Sequence, residues 1–126
     1  MEQLIISVLI TIAPYYNIDP HLAAAVIKTE SNFNPQAIGT IGELGLFQIR
    51  PEFSKYSKLQ LLDWKTNITA GLENLANSKT FCKHKVDNTF VICHNSGITG
   101  AKKIKNPFGQ SYYKKVSKIY LTYTGL

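Results

Sequence analysis

Glu30 is the residue of this chain best placed to do chemistry. It lies in the stretch Asp19–Gln48, DPHLAAAVIKTESNFNPQAIGTIGELGLFQ. Leu22, Val26 and Glu30 recur every four residues, which puts them on one face of a helix, so a carboxylate ends an apolar stripe. A carboxyl group in apolar surroundings resists ionisation, and one that keeps its proton near neutral pH can act as a general acid and then, once deprotonated, as a base. Asn34-Pro35 should stop the helix, and Gly39, Gly42 and Gly45 mark a loop behind it. That loop carries Glu43, the one nearby candidate for a second carboxylate, since Asp19 starts the same helix and Asp63 belongs to another segment. Taken alone, Glu43 reads as an exposed loop charge.

The elements that must position these groups are helical. Leu4, Ile5, Val8, Leu9 and Ile12 predict a buried first helix from about Glu2 toward Tyr16, kinked or ended by Pro14. Asp19 suits the N-cap and Pro20 the first position of the Glu30 helix. Glu52–Leu62 is short and irregular. Asp63 can cap a long helix with Ile68, Leu72, Leu75 and Ala76 at helical spacing, in which Gly71 would let another helix approach closely. Asp87 or Asn88 can cap a short helix through Phe90, Val91 and Ile92 that stops near Gly97. Asn106-Pro107-Phe108-Gly109 separates it from a final helix whose Tyr112, Val116, Ile119, Tyr120 and Tyr123 form one stripe. No segment alternates with a period of two, so the expected fold is all-α, with at most a minimal sheet, in one domain spanning residues 1–126.

Composition narrows the function classes. The chain is 44% hydrophobic, enough for a core, and has 14 Lys and Arg against 8 Asp and Glu, a net charge of +6. Such a charge favours polyanions such as nucleic acid, an anionic membrane or an acidic cell wall. Arg50 is the only arginine, which argues against sequence-specific nucleic-acid binding, where bidentate arginine contacts dominate. The apolar run Leu4–Ala13 is too short to span a bilayer, and only Glu2 precedes it where an export signal needs positive charge. No signal peptide, stable membrane insertion or nucleic-acid partner is expected. Cys82 and Cys93 could form a disulfide or remain thiols; His84 and His94 lie beside them, but the spacing fits no zinc pattern, so neither metal nor cofactor is expected.

Glu30-Ser31 with Phe33-Asn34-Pro35, then Gly45-Leu46-Phe47-Gln48-Ile49 and Pro51, resembles the signature of the soluble lytic transglycosylases, goose-lysozyme-like enzymes that cut peptidoglycan glycan strands. Asn67 with Ala70-Gly71 and Leu75, Asn95-Ser96-Gly97, and Tyr112-Tyr113-Lys114-Lys115-Val116 with Tyr120 continue the resemblance in the family's order over nearly the whole chain. It implies a lysozyme-like helical domain with a saccharide cleft, acting on peptidoglycan as a monomer in the periplasm or wall. With no export signal read, delivery would fall to a phage lysis system, as for a phage endolysin, or to a virion. The resemblance makes Glu30 the catalytic acid and base, giving 1,6-anhydromuramyl ends with help from the substrate's N-acetyl group. It places Ser31, Glu43, Gln48, Asn95 and Tyr112 at the substrate site, Gln48 lining the cleft and Tyr112 packed near the Glu. Two departures stand out: Cys93-His94 replaces the usual Ala-Tyr, and Phe47 stands where Met is common. By itself His94 reads as a structural histidine. Glu43 leaves open a hydrolytic muramidase with two carboxylates. A wall-binding component of a virion or secretion apparatus that does not cut is the reading from another class.

Overall fold

Asp19 opens the central helix as the sequence predicts: its carboxylate accepts the His21 N–H at 2.9 Å, and Pro20 takes the first turn. This computed structural model describes residues 1–125. Its helices are α1 (Glu2–Ile12), α2 (Pro20–Ser31), α3 (Lys58–Leu61), α4 (Trp64–Phe81), α5 (Val91–Ala101) and α6 (Ser111–Thr124), with single 3-10 turns between several of them. Isolated antiparallel bridges, Ile38 to Leu44 and Leu44 to Ile49, are the extent of β-structure among the described residues. The all-α expectation holds.

α2 differs from its expected amphipathic form. Every residue from Leu22 to Ile27 is buried, so the apolar surface encircles the helix instead of forming one stripe. α1 and α6 pack on it, and the run Ala23-Ala24-Ala25 has no side chain large enough to hold neighbours away. The helix ends a turn before Asn34-Pro35, because Asn32 and Phe33 take left-handed conformations with φ of 51° and 62°. Glu30 therefore sits in the last turn of the most enclosed helix in the fold.

Asn67 ties the segment from Asn34 to Arg50 to α4 by its side-chain amide. Asn67 is fully buried; its Oδ1 accepts the Phe47 N–H at 2.9 Å, and its Nδ2 donates to the Leu44 and Leu61 carbonyls at 2.9 Å each. Gly45 has φ of 73° and lies so close that a Cβ there would meet the Asn67 amide, so both its backbone angle and its lack of a side chain are used. Gly71 does accommodate a close neighbour, but it is the Phe47 ring and not a second helix, as a Cβ on Gly71 would overlap that ring. Phe47 is fully buried there.

Asp63 caps α4 as expected, accepting the Thr66 N–H at 3.0 Å. Asp87 and Asn88 do not cap α5: both have positive φ in the preceding turn, and Phe90 takes the cap position with no side-chain hydrogen bond. A disulfide joins Cys82, just past α4, to Cys93 in the first turn of α5, with Cα atoms 6.0 Å apart. It resolves the two readings of the cysteines and takes both thiols out of metal ligation. Gly97 breaks the helical conformation inside α5 at φ 74°, ψ 158°, where the sequence places a stop.

Candidate active site

A cleft of about 350 Å³ opens where the end of α2, the glycine loop, α4 and the start of α5 meet. Glu30 forms part of its floor, Glu43, Gln48 and Arg50 come from the loop, Asn74 from α4, and His94 and Asn95 from α5. Of the residues proposed from sequence, Glu30, Glu43, Gln48 and Asn95 meet in this space. Tyr112 lies behind Glu30 and donates its hydroxyl proton to Oε2 at 2.8 Å. Ser31 stands apart: its hydroxyl turns back to the Ile27 carbonyl at 3.1 Å, within its own helix.

The Glu30 side chain is only 14% exposed. Burial raises its pKa from the ordinary carboxylate value, against the opposing pull of His94 and of the Tyr112 hydrogen bond; Glu43 adds a smaller upward push. Tyr112 is driven the same way, first by burial and then by the adjacent carboxylate, and stays a hydroxyl donor. The cleft thus holds a carboxyl group biased toward its protonated form, with one oxygen engaged from behind, as general-acid chemistry requires.

The loop groups are fixed from within. Glu43 Oε1 accepts the Ile41 N–H at 2.9 Å. Gln48, with φ of 50°, donates from Nε2 to the Ala37 and Gly45 carbonyls at 3.1 Å each. The site of a Cβ on Gly39 is filled by the Glu43 carboxylate and the Gln48 amide, so that glycine serves the approach of two cleft side chains.

His94 is the group whose place the sequence did not give. Its side chain is 2% exposed, with Nε2 3.4 Å from Glu30 Oε2 and 3.0 Å from the Phe47 carbonyl, and Nδ1 2.8 Å from Asn74 Oδ1. The available signal was its departure from the expected Ala-Tyr pair; Asn74 gave none. Among the described residues, no group of three or more His, Cys, Asp or Glu is arranged to hold a metal ion.

Residues 7–119 match the transglycosylase SLT domain family. The chain belongs to that family. Similar proteins include a transglycosylase of Enterobacteria phage PRD1, 29% identical over 91 residues, which covers 68% of this chain and 32% of that protein. Another is the membrane-bound lytic murein transglycosylase C of Serratia proteamaculans (strain 568), 34% identical over 73 residues, or 48% of this chain and 20% of that protein. The chain thus spans a third or less of the length of these relatives. Within this SLT domain the resembling blocks serve two ends. Glu30, Gln48 and Asn95 face the cleft, whereas Gly45, Asn67 and Gly71 fasten the loop to α4.

Proposed function

We propose that this SLT domain cleaves the β-1,4 bond between N-acetylmuramic acid and N-acetylglucosamine in bacterial peptidoglycan by lytic transglycosylation, leaving 1,6-anhydromuramyl ends. The observation that carries the reading is the Glu30 carboxyl, largely enclosed, backed by Tyr112 and lining a cleft within a family of transglycosylases. In the first step Glu30 gives its proton to the glycosidic oxygen as the C1–O bond breaks, and the substrate's N-acetyl carbonyl oxygen stabilises C1. In the second the C6 hydroxyl oxygen bonds to C1, the acetamido oxygen leaves C1, and the hydroxyl proton returns to Glu30, so no water is consumed. Gln48 and Asn95 grip the saccharide. Residues 1–126 work as a single monomeric catalytic domain at the wall, reached through phage lysis or a virion; similarity to the phage PRD1 protein supports a phage setting. No described helix is long and apolar enough to cross a membrane.

The rival is hydrolysis, favoured by one observation: Glu43 lines the same cleft as Glu30. A hydrolase needs that second carboxylate as base or nucleophile. Mass spectrometry of digested peptidoglycan separates the two. Anhydro ends that persist in a Glu43→Ala digest are expected. Reducing muramyl ends in the wild-type digest, with most activity lost in Glu43→Ala, would make the domain a muramidase.

A further inference from the structure

The His94 imidazole is enclosed by oxygens. Nε2 faces the Phe47 carbonyl at 3.0 Å and Glu30 Oε2 at 3.4 Å, and Nδ1 faces the Asn74 amide oxygen at 2.8 Å. A backbone carbonyl only accepts, so Nε2 carries a hydrogen in every arrangement. That hydrogen is donated to the Phe47 carbonyl, and the Glu30 carboxyl is the next acceptor beside it. Phe47 is itself immobilised, its N–H held by Asn67 and its ring seated against Gly71 and edge-on to the His94 ring, with centroids 5.8 Å apart. The imidazole cannot turn away without losing contacts on both edges.

Resting on the functional reading above, we propose that His94 is a positioning residue for Glu30: Asn74 and the Phe47 carbonyl fix its ring so that Nε2 stands 3.4 Å from Oε2, where beside Tyr112 it favours the charged form at one carboxyl oxygen and leaves Oε1 to give and retrieve the proton. Tyr112 and His94 approach the same atom, Oε2, from α6 and α5, while no hydrogen bond from the protein engages Oε1 among the described residues. The Tyr112 hydrogen bond and the Nε2 edge of His94 beside it stabilise the carboxylate that forms as the glycosidic oxygen takes the proton. An imidazole differs here from a phenol in carrying two nitrogens, so the edge it presents to Glu30 is oriented from the far side by Asn74 on α4.

The charged and titratable groups that face Glu30 are His94 from α5, Tyr112 from α6, and Glu43 from the loop, with Arg50 across the cleft. From α4 the neighbour is the uncharged Asn74; Glu73, next to it, is turned to Tyr56 and Lys55, at 2.6 and 2.9 Å. Since His94 opposes the rise in the Glu30 pKa, its removal pushes that pKa further up.

The test is steady-state kinetics on soluble glycan strands across pH. In His94→Phe, kcat is expected to fall roughly tenfold to a hundredfold with KM within about twofold, and the alkaline limb of kcat/KM to move upward. His94→Gln sets an amide N–H where Nε2 lies and should recover most of the loss. Asn74→Ala, which leaves the ring in place, should move the limb the same way by less, and it serves if His94→Phe does not fold. An unmoved limb in either variant, or a His94→Gln as impaired as His94→Phe, overturns the proposal. Glu30→Gln in the same assay separates the levels: if it stays active the functional reading fails, and if it is inactive while the limb does not move only the role of His94 fails.

Discussion

Two tyrosine–carboxylate hydrogen bonds join α2 to α6, one near each end. At the N-terminal end of α2, Tyr120 donates to Asp19 Oδ2 at 2.5 Å; at the C-terminal end, Tyr112 donates to Glu30 Oε2 at 2.8 Å. The antiparallel helices make the two contacts near mirror images in residue type. Their surroundings set them apart. Asp19 is 39% exposed and its other oxygen caps the helix, so its carboxylate is fully used by structure. Glu30 is 14% exposed, ends a helix where backbone N–H groups no longer point at it, lines a cleft, and has one oxygen that accepts no hydrogen bond among the described residues. The same pair of side chains is a clasp in water and, when enclosed, a carboxyl with a raised pKa and a supporting hydroxyl, as the proposed proton donor requires.

Substitutions at the two ends should therefore diverge, and Glu30→Gln is the largest expected effect. Peptidoglycan cleavage should fall by roughly a hundredfold to ten-thousandfold while the thermal midpoint stays near that of the parent. The pH dependence of stability follows from the sign of the Glu30 shift. A carboxyl whose folded-state pKa lies above its unfolded value favours folding fully below the unfolded value, and this contribution is lost as pH rises through the folded value. Relative to the parent, Glu30→Gln should thus gain stability as pH rises through that window; thermal melts of both at several pH values would read it, and a constant difference would deny the enclosed character of Glu30. Next comes Tyr112→Phe, which removes one donor from Oε2. About tenfold lower kcat is expected, with the alkaline limb moved upward, and glycan-strand kinetics with no change in either would make the two clasps alike. Smallest is Asp19→Ala, which loses a cap and the Tyr120 bond: about 1 to 2 kcal/mol of stability by denaturant titration, with kcat within twofold. A large loss of kcat there would mean that the far clasp sets the geometry of the near one.

Much of this could be read in the chain before its fold. The Asp19 cap, the helix carrying Glu30, the loop glycines, the Asp63 cap and the break at Gly97 are local, and their chemistry lies within a few residues of where it acts. The meeting of Glu30, Gln48, Asn95 and Tyr112 came from resemblance to a family, since Glu30 and Tyr112 are 82 residues apart. The helix expectation for α2 was too narrow because alanines count weakly in an apolar stripe, yet three in a row admit neighbours on every side. His94 was flagged only as a departure, and its tie to Asn74 and Glu30 exists solely in the tertiary arrangement. Gly71 showed that something approaches closely, but the ring of Phe47 and a second helix leave the same mark in a sequence.

The disulfide between Cys82 and Cys93 has a consequence at the bench. It closes a loop over a sequence separation of 11, which by chain entropy restricts the unfolded chain by roughly 3 kcal/mol. One of its sulfurs belongs to the residue that immediately precedes His94 and Asn95. A preparation kept in dithiothreitol and one kept in air are therefore two different molecules, the first having lost the covalent hold on the helix that brings these side chains to the cleft. Rates and melting curves become comparable between laboratories only when the thiol content of the sample has been counted.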